Sequence, residues 1–332
     1  MTLESAIDIS IILEWENVLL SGQARSRSVL NKLYSQMHLS SRSTELLILF
    51  DPDEIDRASL DALVLEARDH PPSESQFSVP QLRVRLEEAR NHRYYELKNY
   101  GAQLAKGDLI VFIDSDVLPE DGWLYEISQP FYTNPEISVV AGHTYLAHQS
   151  LVEKAFALGW FFPLRNAVDQ LDPNGTSFFA NNVAYRKPVF QQYPFLEMSA
   201  GVCRGACGEQ ARSLVETGIS IWTTTSARAQ HAPPSDSSHY FVRALAHGRD
   251  NVLEEYTRGK SGLSSLKKSF QWSLRYILST TKRMLQDRKA VRLRGYQVPA
   301  AFCIMTGFYV LAFVGSCAAL GFPNYARRHW QI

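Results

Sequence analysis

The chain has 332 residues, 45% of them hydrophobic and 20% charged, which is the make-up of a folded protein and excludes a disordered or fibrous one. That length supports a large core in one domain plus an appendage. Its 34 basic and 34 acidic residues cancel unevenly: residues 263–297 carry a net charge of +8, Arg327 and Arg328 add two more, and residues 1–262 sum to −10. An acidic body without a basic stripe argues against nucleic acid as a partner, and a basic tail suits a membrane or another polyanionic surface.

Residues 1–10 contain acidic side chains and no long apolar core, so no signal peptide is expected there. Residues 7–13 read as a first strand ending at Glu14-Trp15-Glu16-Asn17, with a helix following through Leu30 and Leu33. Residues 45–50 read as a second strand running into Asp51-Pro52-Asp53. Leu60, Leu63, Val64 and Ala67 give residues 59–68 helical spacing; Pro71-Pro72 stops that helix and 73–78 form a loop. A short third strand is expected at 82–86 and a helix at 94–106. The stretch GDLIVFIDSDVLPEDGWL, residues 107–124, then carries the strongest signal. Its apolar, β-branched run at 109–113 is bounded by Gly107 and by Asp114-Ser115-Asp116, the pattern of an interior strand covered on both faces. In open α/β sheets ligands bind at the carboxyl ends of the strands, and two hard oxygen ligands there suit a divalent cation holding phosphate. The same triplet also fits a plain turn into a helix starting near Pro119, Glu120 and Asp121. The alternation of strand and helix predicts a largely parallel, doubly wound sheet.

Beyond residue 125 the alternation loosens. Strands are expected at 138–142, 178–185 and 219–229, the last ending at His231-Ala232-Pro233-Pro234, with a helix inside 202–218. The aromatic-rich stretch 156–164 reads as core, with a ligand platform as the other use of such residues. Cys203, Cys207, Cys303 and Cys317 lack zinc-site spacing and read as free thiols of a reducing compartment. In the tail, Leu263, Leu266, Phe270, Leu274, Ile277, Leu278 and Leu285 recur at three- and four-residue intervals. Lys267, Lys268, Arg275, Lys282 and Arg283 lie off that stripe. This is a basic amphipathic helix of the type that lies on anionic lipid. Residues 298–321 then run 24 positions without a charge, enough to span a bilayer, while Pro299, Gly307 and Gly315 leave room for a kinked or re-entrant form. Nine basic residues precede that run and two follow it, which places the main body on the cytoplasmic side of a cell membrane. The domain division expected is 1–250 for the body and 251–332 for the basic helix and anchor.

Taken in order, several motifs resemble the family 2 glycosyltransferases, inverting enzymes with the GT-A nucleotide-sugar fold; the resemblance covers roughly residues 7–235. Ile9-Ser10-Ile11-Ile12 through Asn17 resembles the first strand of the family, although its usual Pro-Thr-Tyr-Asn is here Glu14-Trp15-Glu16-Asn17. Residues 47–53 stand where the family has a strand ending in acidic residues that read the uracil and ribose. Lys98-Asn99-Tyr100-Gly101-Ala102 and Ala105-Lys106-Gly107-Asp108 resemble the helix and glycine turn before the metal motif, and Asp114-Ser115-Asp116 resembles that DXD motif itself. Asn181-Asn182-Val183-Ala184-Tyr185-Arg186-Lys187 is similar to the strand beside the donor sugar, and Gly208-Glu209-Gln210 to the Glu-Asp segment at the head of a helix.

The resemblance implies a GT-A-type doubly wound mixed sheet and a metal-dependent, inverting, hexosyltransferase-type enzyme using a nucleotide-sugar, UDP-linked donor. It implies donor contacts from Glu14, Asn17, Asp51, Asp53, Asn99, Asp114, Ser115 and Asn182. Mg²⁺ or Mn²⁺ is implied on Asp116 and Asp114, with His231 as a further ligand matching a histidine of some relatives. The acceptor expected from the membrane tail is a lipid or a lipid-linked glycan. The family places its base at the Asp of Glu-Asp, where this chain has Gln210, an amide that takes up no proton at neutral pH. Either Glu209 takes over, the acceptor needs little base assistance, or the chain is inactive; Glu209 is the base expected. Two other readings remain at this level: a nucleotide-sugar-binding or scaffold protein that lost its base at Gln210, and a haloacid-dehalogenase-type phosphatase using Asp114 as nucleophile. The second needs a downstream Lys and a later Asp pair, which the chain does not convincingly offer. The Gln-x-x-Arg-Trp motif of processive polymerases is absent, Gln271 to Tyr276 having the wrong spacing.

Overall fold

A computed structural model describes residues 6–68, 83–197, 205–234, 236–257 and 261–330. The Pro71-Pro72 stop, the loop at 73–78 and Cys203 lie outside them. Four strands, β1 (Ile9–Glu14), β2 (Thr44–Phe50), β3 (Arg83–Glu88) and β4 (Leu109–Asp114), pair in parallel in the order β3-β2-β1-β4. Helices α1 (Val18–Ser21) and α2 (Gln23–Leu39) lie between β1 and β2, α3 (Arg57–Arg68) follows β2, and α4 (Tyr94–Leu104) precedes β4. The chain continues through β5 (Val117–Pro119), α5 (Trp123–Thr133), β6 (Val139–Leu146), α6 (Leu151–Gly159), β7 (Leu171–Gly175), β8 (Asn182–Arg186), α7 (Lys187–Gln192), α8 (Ala206–Glu216) and β9 (Ile221–His231). The sheet reads β3-β2-β1-β4-β8-β6-β9-β5, with β7 pairing β9, and β8 runs antiparallel to both β4 and β6. The sheet is therefore mixed, parallel from β3 to β4, with β8 running against both of its neighbours.

Every residue of β1, β2 and β4 is buried, which is why these strands read as continuous apolar runs rather than alternating ones. Ile11, Leu13, Leu46, Ile48, Val111 and Ile113 pack on one face with Val29, Leu30 and Leu33 of α2 and Leu60 of α3. On the opposite face Phe112 meets the rings of Tyr185, Phe190 and Phe195. Gly107, just before β4, needs its missing side chain: a Cβ there would lie 2.6 Å from the Ser10 nitrogen, and its own N–H donates to Ser10 Oγ at 2.8 Å.

The described residues divide into two compact units. One comprises the residues up to Thr144 with Ala167–Glu197 and Ala206–Gln230; the other comprises Tyr145–Asn166 and the residues from His231 onward. The second unit is helical: α6, α9 (Ser237–Thr257), α10 (Gly262–Gln286), a 3-10 turn at Gly295–Gln297, α11 (Val298–Gly321) and α12 (Pro323–His329). The division expected at residue 250 falls inside α9, where buried Arg249 pairs with buried Asp250 at 2.8 Å and also donates to the Trp330 carbonyl. Residues 295–321 form a helix long and apolar enough to cross a membrane.

Candidate active site

Glu14 and Asp114 end adjacent parallel strands and are register partners. Parallel pairing thus delivers both carboxylates to one point of the carboxyl edge. Glu14 is fully buried. Its Oε2 accepts from the backbone N–H groups of Glu16 (2.8 Å) and Asn17 (3.2 Å), and its Oε1 accepts from Asn17 Nδ2 at 2.8 Å and from the Ser115 N–H at 3.4 Å. It therefore ties the turn after β1 to the turn after β4. Asp114 accepts from the wholly buried Lys98 Nζ at 2.5 Å, from the Tyr94 hydroxyl at 2.8 Å and from Asn17 Nδ2 at 3.4 Å. Lys98 and Tyr94 lie one turn apart on α4, on the side turned to the sheet.

The buried ammonium of Lys98 thus pairs directly with Asp114, and its charge also acts on buried Glu14. Burial, and next the Asp114 charge, push the Glu14 carboxyl well above its ordinary range. Burial also raises Asp114, against the opposing pull of Lys98.

Asp116 follows in the turn between β4 and β5 and is 8% exposed. Its backbone carbonyl accepts from Arg25 Nε at 3.0 Å, and the same guanidinium reaches Gln230 Oε1 at 3.1 Å and the Gln230 carbonyl. Arg25 therefore clamps the acidic turn against the end of β9. At the end of β2, Asp51 accepts from the N–H groups of Asp53 (3.0 Å) and Asn91 (2.9 Å), closing a turn in which Asn91 takes a left-handed φ of 59°. Asp53 is exposed and paired with Arg90 at 2.5 Å.

The remaining expected site residues are held by other work. Asn99 bonds the backbone of Phe195 in both directions, at 2.8 and 3.1 Å. Asn182 accepts from Trp123 Nε1 at 2.8 Å and donates to the Ala227 carbonyl at 3.1 Å. Both support walls through backbone and indole partners. Glu209 is in the first turn of α8 and pairs with Arg212 one turn on. Gln210 is buried, accepts from the Tyr185 hydroxyl at 2.9 Å and donates to the Tyr193 carbonyl. An aspartate there would be too short and could not donate to that carbonyl. Gln210→Asp, which restores the family pattern, is accordingly expected to cost about 1–3 kcal/mol or more in urea unfolding, and not to raise activity. His231 belongs to the second unit, with Nδ1 2.5 Å from the Ala232 carbonyl oxygen and its ring against Phe162 and Trp160.

Among the described residues no three His, Cys, Asp or Glu side chains come together as a metal cage. The donor set at the acidic turn fits a divalent ion only in part: Asp116 is a hard oxygen donor at a strand end, while Asp114 is already bonded by Lys98 and Tyr94. Such a partial set would leave coordination positions to other oxygen ligands.

Sequence reasoning missed Lys98, Tyr94 and Arg25 as site residues. Lys98 carried a signal: a lysine on the same helix stripe as Tyr94, Gly101 and Ala102 needs a buried partner, and strand-end carboxylates are the partners available. Arg25 had none, because the groups it holds, the Asp116 carbonyl and Gln230, lie far along the chain.

Residues 55–193 match the model of the glycosyl transferase family 2. No curated protein matches the chain. Among solved structures, it is similar to a mannosyltransferase from Pyrobaculum calidifontis in complex with GDP-Man and Mn2+. That likeness has 11% identity and a TM-score of 0.55, and covers 96% of this chain and 88% of that one. A mycobacterial protein is 14% identical with a TM-score of 0.46, over 73% of each chain. The fold is thus GT-A-like.

Proposed function

We propose that the chain is a family 2 glycosyltransferase that moves a sugar from a nucleotide-sugar donor to a hydroxyl acceptor with inversion. The observation that carries this is the convergence of Glu14, Asn17, Asp114, Ser115 and Asp116 at the carboxyl ends of two adjacent parallel strands. The family match over 55–193 supports it, since that segment contains the acidic turn. In this reading Asn17, Asp51, Asp53, Asp114 and Ser115 face the nucleoside, while Glu14, Asn99 and Asn182 position the backbone around it. Asp116 is the residue turned to the diphosphate. A divalent ion, Mg²⁺ or Mn²⁺, would be held there by Asp116 with Asp114 behind it, and would supply Lewis-acid neutralisation of the charge on the departing diphosphate. Without a complete protein cage, Mn²⁺ alone is expected to bind weakly, and a nucleoside diphosphate to strengthen that binding at least about tenfold, read by titration calorimetry.

Glu209 accepts the proton of the acceptor hydroxyl on the opposite face of the sugar, which makes the displacement single and inverting. Glu209 stands in the first turn of α8 and is held by Arg212. Glu209→Gln should lower kcat by roughly 10²–10⁴ with donor affinity little changed; wild-type turnover would place the base elsewhere. The acceptor class is a lipid or lipid-linked glycan, at the cytoplasmic face of a cell membrane, a reading supported by the basic α10 and the apolar α11.

Asp114 is a poor candidate for a phosphatase nucleophile, since both its oxygens are bonded within the fold. The scaffold reading differs from ours in one result, donor binding without turnover. Screening nucleotide-sugars for metal-dependent binding and for transfer, side by side, tests both.

A further inference from the structure

Helix α10 is oriented opposite to a helix on the surface of a soluble protein. Its buried side is small and polar: Ser265, Ser269, Ser273 and Thr280, with Met284. Ser269 Oγ meets Ser316 Oγ of α11 at 2.6 Å, and Thr280 Oγ1 donates to the Gly159 carbonyl at 3.3 Å. On the opposite side Leu263, Phe270, Leu274, Leu278 and Leu285 are between 45% and 81% exposed. A soluble helix buries such a stripe and exposes its serines. The apolar face continues onto α11, where Phe313 packs on Phe270 at 5.4 Å between ring centres and Val310 and Val314 are half exposed. Residues 262–286 contain no Asp or Glu, and Lys267, Arg275 and Lys282 are exposed along the helix.

We propose that α10 and α11 lie together in the plane of one anionic phospholipid leaflet, and that α11 does not cross the membrane. The Leu/Phe stripe enters the acyl region, and Lys267, Arg275 and Lys282 reach the phosphates. This rests on the membrane association proposed above and specifies its form. The company α11 keeps argues against spanning. The rings of Trp272 and Tyr276 pack on Tyr309, halfway along α11, at 5.5 and 5.3 Å. Were α11 upright, α10 would stand beside it and Arg275 would be carried to the bilayer midplane, where a charge is most costly. Helix α9 is bound to α11 as well: a Cβ on Gly248 would lie 1.6 Å from the Ala312 carbonyl oxygen, so the two backbones touch. That helix would bring Arg243, Arg249, Asp250 and Glu255 with it. Lying flat keeps all these charges at headgroup depth or within protein, and it assigns the apolar run of α11 two uses. Ala301, Met305, Phe308, Ala312 and Ala319 face the unit's interior, while Val310 and Val314 face lipid.

The test uses the full chain with its native cysteines replaced by serine and an environment-sensitive fluorophore on a single cysteine at position 263, 274 or 285. Depth is read with nitroxide quenchers placed along the acyl chains of phosphatidylcholine/phosphatidylglycerol vesicles. The expected result is one shallow depth for all three positions, with binding at least tenfold weaker when phosphatidylglycerol is omitted. Depths that run from one surface through the midplane would overturn the in-plane reading while leaving membrane association intact. Absence of vesicle binding would overturn both. Leu274→Glu with Leu278→Glu should cut vesicle binding at least tenfold without changing donor binding. Should that variant misfold, Lys267→Gln with Arg275→Gln and Lys282→Gln must abolish the preference for the anionic lipid; an unchanged preference contradicts the proposal.

A different feature of the second unit carries a second inference. A cavity of about 450 Å³ is lined by His148, Lys154, Arg165 and Arg292, with Leu164 and Val291, and by no carboxylate. Arg292 holds a left-handed φ of 52°, uncommon for a residue with a side chain. We infer that this cavity takes a phosphate-bearing group. Titration calorimetry with inorganic diphosphate, and separately with a water-soluble short-chain lipid phosphate, separates free from lipid-borne ligand. Binding of either that falls at least tenfold in Lys154→Gln with Arg292→Gln is expected. Binding of neither, or binding indifferent to the variant, would overturn the assignment.

Discussion

Replacing Lys98 with methionine is expected to destabilise the first unit by about 3–5 kcal/mol at neutral pH, the cost of removing one partner of a buried ion pair. The shape of the side chain is nearly kept, so the loss is electrostatic: Asp114 would remain buried beside Glu14 without its cationic partner. The pH dependence carries a definite sign. Both carboxyls have folded pKa values raised above their ordinary range, so the folded state holds protons that the unfolded state has released. Stability therefore falls as pH rises through the interval between the ordinary and the raised values. Lys98 lowers both values, and its removal widens that interval. Urea unfolding should accordingly show a larger deficit of Lys98→Met at pH 7.5 than at pH 5.5, and Asp114→Asn in that background should recover part of it. A deficit independent of pH would mean that Lys98 matters for packing alone.

Asp116→Asn is expected to lower transfer by roughly 10²–10³ or more, because it removes a charge from the point where the leaving diphosphate accumulates its own. The fold should tolerate the change. The Asp116 backbone is held by Arg25 through its carbonyl, which the substitution leaves in place, and the side chain is isosteric. Unchanged thermal unfolding together with a collapsed rate and weaker donor binding is the predicted signature. Full activity of the variant, or wild-type activity undiminished by a chelator, would remove the metal from the account.

The parallel half of the sheet was legible because its strands are buried on both faces and so appear as unbroken apolar runs: residues 7–13, 45–50 and 109–113 each fall on a strand of the structure. The half of the sheet beyond β4 was harder. β7, Leu-Asp-Pro-Asn-Gly, is polar and largely exposed, and only its partner β9 makes it a strand. β5 is three residues long. The aromatic stretch at 156–164 concealed a helix start at Ser150, whose hydroxyl accepts from the Glu153 N–H while the Glu153 carboxylate accepts from the Ser150 N–H; that Ser-x-x-Glu box was readable from sequence. At the site, the carboxylates were legible and their partners were not. Gln210, read as a departure in the catalytic segment, is a structural amide whose donor and acceptor are both in use. In the tail, the periodicity showed the amphipathic stripe of α10 as one that lies on lipid, but not what its other side packs against. That was settled by serines able to approach α11 closely, which hydrophobic patterning ranks as surface residues.

The central claim is that the acidic turn at the end of β4 serves transfer from a nucleotide-sugar. The most direct measurement is sugar release and transfer by the full-length protein over a panel of nucleotide-sugars, with Mn²⁺, with Mg²⁺ and with chelator, beside Asp116→Asn under the same conditions. The account predicts turnover of at least one nucleotide-sugar that requires the metal and is lost in the variant. Failure of the wild type to bind or turn over any nucleotide-sugar, or turnover that neither chelator nor Asp116→Asn reduces, would contradict it.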